Sequence, residues 1–291
     1  MVVIITVVAV FIAGLLLYGY GSNYMLKTEH YEIGAGQGDG GGKSEKKSES
    51  EEIRIVMLTD LHANTFGTKN SRLLRAVREQ KPDMICIAGD MTVKNGKGMD
   101  SCLALCKELV SFCPVYYAPG NHEIRMAEYP EYIDRLKKAG VVWLGNSSSF
   151  LFLKNRKIGI YGLDIGEEFY HKFWQKREFG AENMKMLLGA AGTEEVRILL
   201  AHDPEYFPAY REWGADLVLS GHVHGGIAKL PLLGGVIDPA LRLFPKYDAG
   251  LFRENGAYMV LSRGLGTHHI RLRFFNPPEV SVVHLMEINV E

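Results

Sequence analysis

No lysine, arginine, aspartate or glutamate occurs before Lys27, and only four cysteines are spread through 291 residues. The missing charge leaves residues 2–18, VVIITVVAVFIAGLLLY, as an apolar run just long enough to cross a bilayer. Residues 1–26 therefore read as one membrane anchor. A cleaved signal peptide would call for a basic residue ahead of the run, a shorter apolar stretch and a small-residue cleavage site, none of which is present. Charge around the run is too sparse to set its orientation firmly. The cysteines, Cys86, Cys102, Cys106 and Cys113, are too few and too widely spaced for a thiolate metal cluster. They read as small buried apolar side chains, with a Cys106–Cys113 disulfide left open. An excess of one charge sign is lacking as well: the formal net charge of −1 gives no reason to expect nucleic acid as a partner. There is no internal repeat, and the chain can bury the core of one large domain or two small ones.

What is present is strongly patterned. Residues 34–52, GAGQGDGGGKSEKKSESEE, hold no apolar side chain except Ala35 and cannot bury enough surface to fold. Residues 27–52 are thus expected to be a flexible tether to a globular domain at 53–291, allowing that domain to range about 25 Å over a membrane. Inside the domain, five β-prone apolar runs each end in a residue able to bind metal or move a proton: IRIVMLTD (53–60), MICIAGD (84–90), VYYAPGN (115–121), VRILLAH (196–202) and ADLVLSGH (215–222). Helix-like stretches at 70–80, 99–110 and 130–140 lie between several of them, the last closed by Gly140. Such alternation predicts a layered α/β domain. Residues 149–164 predict a hairpin turning at Asn155-Arg156, and 257–262 and 280–288 supply further strands.

In α/β sheets the functional groups gather beyond the carboxyl ends of the strands. There stand Asp60 and His62, Asp90, Asn121 and His122, His202, His222 and His224. Carboxylate, imidazole and amide oxygen without thiolate form a donor set for a borderline or hard divalent metal. A lone histidine at a strand end is commonly a capped or core residue, but a ligand type at every one of these strand ends is a pattern that packing does not explain. The glycines of AGD, PGN and SGH would let the chain turn tightly beside the site. In LVLSGHVHGG the two histidines are two residues apart, a spacing that in an extended chain points both rings the same way.

The order D-x-H, G-D, G-N-H-E, a lone H and G-H-x-H resembles the calcineurin-like metallophosphoesterases over residues from Ile53 to the C-terminus. The later blocks GHVHGGIAKLPLLGG, LFPKYDAGLF and SRGLGTHHIRLRFFNPPEV look like the bacterial membrane-associated phosphodiesterase branch labelled YkuE-like or YaeI-like. That branch usually carries Thr where Val223 stands and Gln where Ile227 stands, and neither position is a ligand. The resemblance implies a four-layer α/β/β/α sandwich with two divalent ions, manganese, iron or zinc. It implies that Asp60, His62 and His224 bind one ion, that Asn121, His202 and His222 bind the other, and that Asp90 bridges them. One imidazole of the GHVH pair then goes to each metal. A water shared by two metals is hydroxide near neutral pH and attacks phosphorus in line. His122 is implied to stabilise or protonate the departing oxygen, the alternative being a hydrogen bond to a carboxylate.

The expected reaction is hydrolysis of a phosphodiester or pyrophosphodiester, on a membrane or cell-envelope substrate, by a domain on the outer face of the cell membrane. A nucleotide or nucleotide-sugar pyrophosphatase is the alternative enzyme. A non-catalytic binding scaffold is the alternative class, and its mark would be a missing ligand. Asp164 reads as an orienting carboxylate or a turn cap, Asp203 as the cap of a helix starting at Pro204, and Arg263, His268 and His269 as a loop beside the substrate or in solvent. His30, His171 and His284 have no partner pattern.

Overall fold

The computed structural model describes residues 1–34, 52–170, 177–226, 229–230, 234–235, 243–267 and 271–286. The chain starts with α1 (Val2–Ser22), apolar on every side and, by length and composition, able to cross a membrane. After four residues it enters β1 (Lys27–Ile33). The domain then runs through β2 (Ile53–Leu58), α2 (Ser71–Glu79), β3 (Met84–Ala88), α3 (Met99–Val110), β4 (Val115–Ala118), α4 (Tyr129–Lys138) and β5 (Val142–Trp143). A second half follows with β6 (Ser147–Leu153), β7 (Arg156–Leu163), α5 (Ala181–Leu188), β8 (Val196–Ala201), α6 (Phe207–Trp213) and β9 (Leu217–Ser220). The small ribbon β10 (Lys229–Leu230) and β11 (Gly234–Gly235) precedes β12 (Gly250–Glu254), β13 (Ala257–Leu261) and β14 (Glu279–Leu285).

Two six-stranded sheets result, ordered β1-β14-β2-β3-β4-β5 and β12-β13-β9-β8-β7-β6. Their central strands are parallel and buried on both faces, which is why those runs read as continuous apolar stretches instead of alternating ones. Alternate side chains go to different layers. Met84, Cys86 and Ala88 meet Ile158, Ile198, Leu217 and Leu219 between the sheets, while Ile85 and Ile87 point outward to Leu73, Val77, Leu103, Leu109 and Leu136 of α2, α3 and α4. On the far side Leu199, Val218 and Met259 pack on Met184, Phe207, Tyr210 and Trp213 of α5 and α6. The layers are thus α/β/β/α, a mixed α/β fold with two sheets. All four cysteines are free and buried.

Two boundaries differ from expectation and one agrees. The hairpin turns one residue earlier, at Lys154 and Asn155, whose φ values of 50° and 63° are those of a turn that matches strand twist. Gly140 does close α4, with φ of 92°. Residues 27–33, placed by composition in a tether, instead form an edge strand running parallel to β14 in full register from Lys27↔Glu279 to Ile33↔Leu285. The sequence in that stretch is polar because only one face of an edge strand is covered. The rest of the expected tether, 35–51, lies outside the described residues.

Candidate metal centre

Five strands end at one place. Asp60 and His62 follow β2, Asp90 follows β3, Asn121 and His122 follow β4, His202 follows β8, and His222 and His224 follow β9. The first three strands belong to one sheet and the last two to the other, so the site closes the gap between the sheets at their carboxyl ends. Five of these residues have left-handed backbones: Asp60, His62, Asp90, His222 and His224, with φ between 46° and 74°. Such a conformation costs about 1–3 kcal/mol at a non-glycine residue, less for Asp and His, which tolerate it best. It reverses the chain at once after each strand, so that side chains which would have flanked the sheet turn over its end. Gly120 and Gly221 serve by lacking a side chain. A methyl at Gly120 would strike the Asp90 carboxylate, and one at Gly221 would strike Asp60 and the Thr59 hydroxyl.

The groups fall into overlapping trios whose ligand atoms lie within 4.8 Å of one another: Asp60, His62 and His224; Asp90, His202 and His222; and His62, Asp90 and His122. His222 and His224 therefore do go to different trios. The reason is not extended i, i+2 geometry, since both lie in a tight loop beyond β9. Asp60 is fixed by the amide of His222, which donates to both of its oxygens at 3.2 and 3.1 Å, and by Thr59 Oγ1 at 2.9 Å. Asp90 Oδ1 accepts the His122 amide at 2.8 Å.

His202 tests whether a cation suits this place. Its Nδ1 donates to the Ala88 carbonyl at 2.7 Å, so in the neutral ring Nε2 carries the lone pair. That nitrogen is buried, lies 3.1 Å from Asp90 Oδ2 and 3.9 Å from Asp60 Oδ1, and makes no aligned hydrogen bond among the described residues. An acceptor held against acceptors needs a cation between them. Asn121 Oδ1 is a second buried acceptor with no hydrogen-bond partner among the described residues, and His62 Nε2 stands 3.2 Å from His224 Nε2. The donor set fits divalent metal ions.

Proton affinities carry the same message. Burial alone would lower His202, but Asp90, Asp60 and the Ala88 carbonyl outweigh it and push its imidazole up to about 10, a proton taking the place a metal would hold. Burial pulls His224 down to about 3 and His222 below the usual imidazole range, leaving both neutral at pH 7. Burial also resists charging Asp60 and Asp90, yet the surrounding imidazoles hold both carboxyls below the usual range. His62 is raised by Asp60 and Asp90 against its burial.

His122 stands edge-on to His62, ring centroids 4.7 Å apart. The amide of Lys94 donates to its Nδ1 at 3.1 Å, so the ring proton is on Nε2. Sequence reasoning passed over Glu123, the last letter of GNHE. Fully buried, it accepts from the amides of Asp90, Met91 and Gly120 at 2.7, 2.7 and 3.0 Å and from Tyr117 Oη at 2.9 Å, stitching the Asp90 loop to the Asn121 loop. Its place in the motif was visible, but three of its partners, the Asp90, Met91 and Thr92 amides, follow another strand. Tyr170 was also missed; its ring lies 5.5 Å from that of His222. Asp164 caps its own turn through the Gly166 amide at 3.0 Å, and Asp203 caps the turn at Pro204 through the Glu205 amide at 2.9 Å. Arg263 pairs with Glu29 and Glu279 at 3.3 and 3.5 Å. His268, His269 and His171 lie outside the described residues, while His30 and His284 hydrogen-bond each other at 2.8 Å, remote in sequence from every ligand.

Residues 53–226 match the family model for the calcineurin-like phosphoesterases. An Aquifex aeolicus protein named as a metallophosphoesterase is 29% identical over 280 residues, covering 94% of this chain and 97% of that one. The Escherichia coli phosphodiesterase YaeI is 26% identical, with 82% and 84% covered. A Helicobacter pylori metallophosphoesterase is 29% identical over 82% of this chain, which spans 61% of the length of that relative.

Proposed function

Because the chain belongs to the calcineurin-like phosphoesterases, hydrolases that use divalent metals, we propose that it is a dinuclear phosphodiesterase acting on phosphodiester or pyrophosphodiester bonds at a membrane. Asp60, His62 and His224 would hold one ion, Asn121, His202 and His222 the other, and Asp90 both. The observation that carries this reading is the buried His202 Nε2 facing two carboxylates without an aligned hydrogen bond. When bound, the ions supply a nucleophile at neutral pH and neutralise charge on the transferred phosphoryl group.

The chain's own residues do the rest. The Ala88 carbonyl fixes the His202 tautomer, the His222 and His122 amides aim the two carboxylates, and Glu123 keeps the two loops at one spacing. His122, with its proton on Nε2, donates a hydrogen bond to the oxygen that departs. A phosphodiester specificity is the activity named for YaeI, and α1 supports a single-pass attachment. We place the catalytic domain outside the cytoplasm, on the likeness of its later blocks to the envelope-associated branch.

The test is elemental analysis of the full chain in detergent with parallel turnover of nitrophenyl diesters and monoesters. About two divalent ions per chain, activity lost to a chelator and restored by manganese, and preference for the diester are expected. Metal-free protein whose activity ignores the chelator would end the reading.

A further inference from the structure

The anchor and the metal centre share one loop. If α1 spans a bilayer, its 21 residues make a rod of about 31 Å, all of which is needed to cross a hydrocarbon layer of about 30 Å. Ser22 and Asn23 then stand at the membrane surface. That end of the helix is built into the domain. Gly19 and Ser22 are buried, and the Gly19 carbonyl accepts the Arg273 amide at 2.9 Å. Asn23 donates to the Arg271 carbonyl at 2.9 Å and lies 3.4 Å from the Thr267 hydroxyl. The Tyr18 and Phe275 rings are 5.6 Å apart, and a methyl on Gly19 would come within 2.6 Å of Phe274.

The same loop holds the site from behind. The Gly266 amide donates to the Asp60 carbonyl at 2.6 Å, and the Asn276 side chain donates to the carbonyls of His224 and Gly226, each at 2.7 Å. Between these contacts lies Arg273, fully buried, its guanidinium donating to the carbonyls of Arg263, Gly264, Gly266 and Asn276. Gly266 touches Asp60 and its neighbour Thr267 touches Asn23, so the base of the anchor is no more than about 15 Å from a metal ligand. Headgroups occupy roughly 5–8 Å beyond the hydrocarbon on each side. Exposed Tyr20, Tyr24, Met25 and Phe275 ring this junction, the tyrosines being of a type that settles at the interface, with the basic side chains of Lys27, Arg72 and Arg271 beside them.

We propose that the base of α1, Thr267 and residues 271–276 form a rigid joint that seats the domain on the bilayer and holds the metal centre close above the headgroups, so that the substrate is the phosphoester of a membrane lipid in the same leaflet. This rests on the hydrolase reading above. It replaces a domain ranging freely on a long leash with one held four residues from its anchor; the glycine-rich stretch falls between β1 and β2, not between anchor and domain.

The experiment uses the full chain with manganese in phosphatidylcholine vesicles and follows a water-soluble nitrophenyl diester. Phosphatidic acid, the common phosphate chemistry of lipid products, is added to the enzyme's own bilayer, to separate vesicles, or replaced by soluble glycerol phosphate, with surface charge matched by an alkyl sulfate. Inhibition at least tenfold stronger from the enzyme's own bilayer is expected. A second protein carries twelve Gly and Ser residues inserted between Met25 and Leu26 together with Gly19→Leu. Its soluble-diester rate should stay within twofold, which shows the centre is folded, while the advantage of the enzyme's own bilayer disappears. Equal inhibition by all three sources, or an advantage that survives in the altered protein, overturns the proposal. No turnover of the soluble diester by the unaltered chain would bring down the hydrolase reading itself and this inference with it.

Discussion

Glu123→Gln removes one charge and almost no volume, and the geometry fixes what that does. Oε2 accepts from the amides of Asp90 and Gly120, and Oε1 from those of Met91 and Thr92 and from Tyr117 Oη. A carboxamide has one acceptor end. Whichever way it turns, its NH₂ faces at least two backbone donors that cannot rotate away, each costing about 1–3 kcal/mol when buried and unpaired. An opposing gain comes from losing a charge that burial and the Asp90 carboxylate both disfavour, as the raised proton affinity of Glu123 shows. The net is a loss of about 2–4 kcal/mol, from the lower half of the unpaired-donor range. For a domain of this size that is a fall in melting temperature of about 4–16 °C. Circular dichroism melts of the full chain in detergent, with chelator throughout to remove metal linkage, would measure it. Manganese should then raise the melting temperature of the unaltered chain more than that of the variant, because the Asp90 loop has lost its fastening. A variant that melts within about 2 °C of the parent and gains as much from manganese would refute the idea that Glu123 clamps the two loops.

Other consequences are open to test. Asp90→Asn should abolish turnover of every ester, whereas His122→Ala should spare nitrophenyl diesters and slow alkyl diesters by about 10²–10⁴-fold; equal losses, with metal content unchanged, would assign His122 to binding instead of to the departing oxygen. Protease added to intact wall-stripped cells should cut within residues 35–51, and protection until lysis would place the domain in the cytoplasm. The thiols should be inert to an alkylating reagent in the native chain, since burial pushes Cys113 up to about 12 and Cys86 higher still, and all four should react after unfolding; rapid labelling of the native chain would contradict the packing.

The sequence by itself determined the layers and brought out the candidate ligands. Continuous apolar runs can only be strands covered on both faces, and a ligand type at the end of each of five such runs leaves few topologies in which those residues do not converge. The apolar start of the chain likewise pointed to a helix long and apolar enough to cross a membrane. Tertiary structure decided what depends on a second chain segment. Composition could not reveal that Lys27–Ile33, polar as it is, completes a sheet, because an edge strand needs cover on one face only and its partner β14 comes at the far end of the chain. The parting of His222 and His224 between two trios follows from left-handed turns that close approach to Asp60 and Asp90 sustains. Glu123 looked like one letter of a motif until the β3 and β4 loops met around it. The contacts of Gly19 and Asn23 with Arg273 and Arg271 join the helix end to the chain beside the candidate site, across some 250 residues, 248 for Asn23 and Arg271, a pairing that no local pattern encodes.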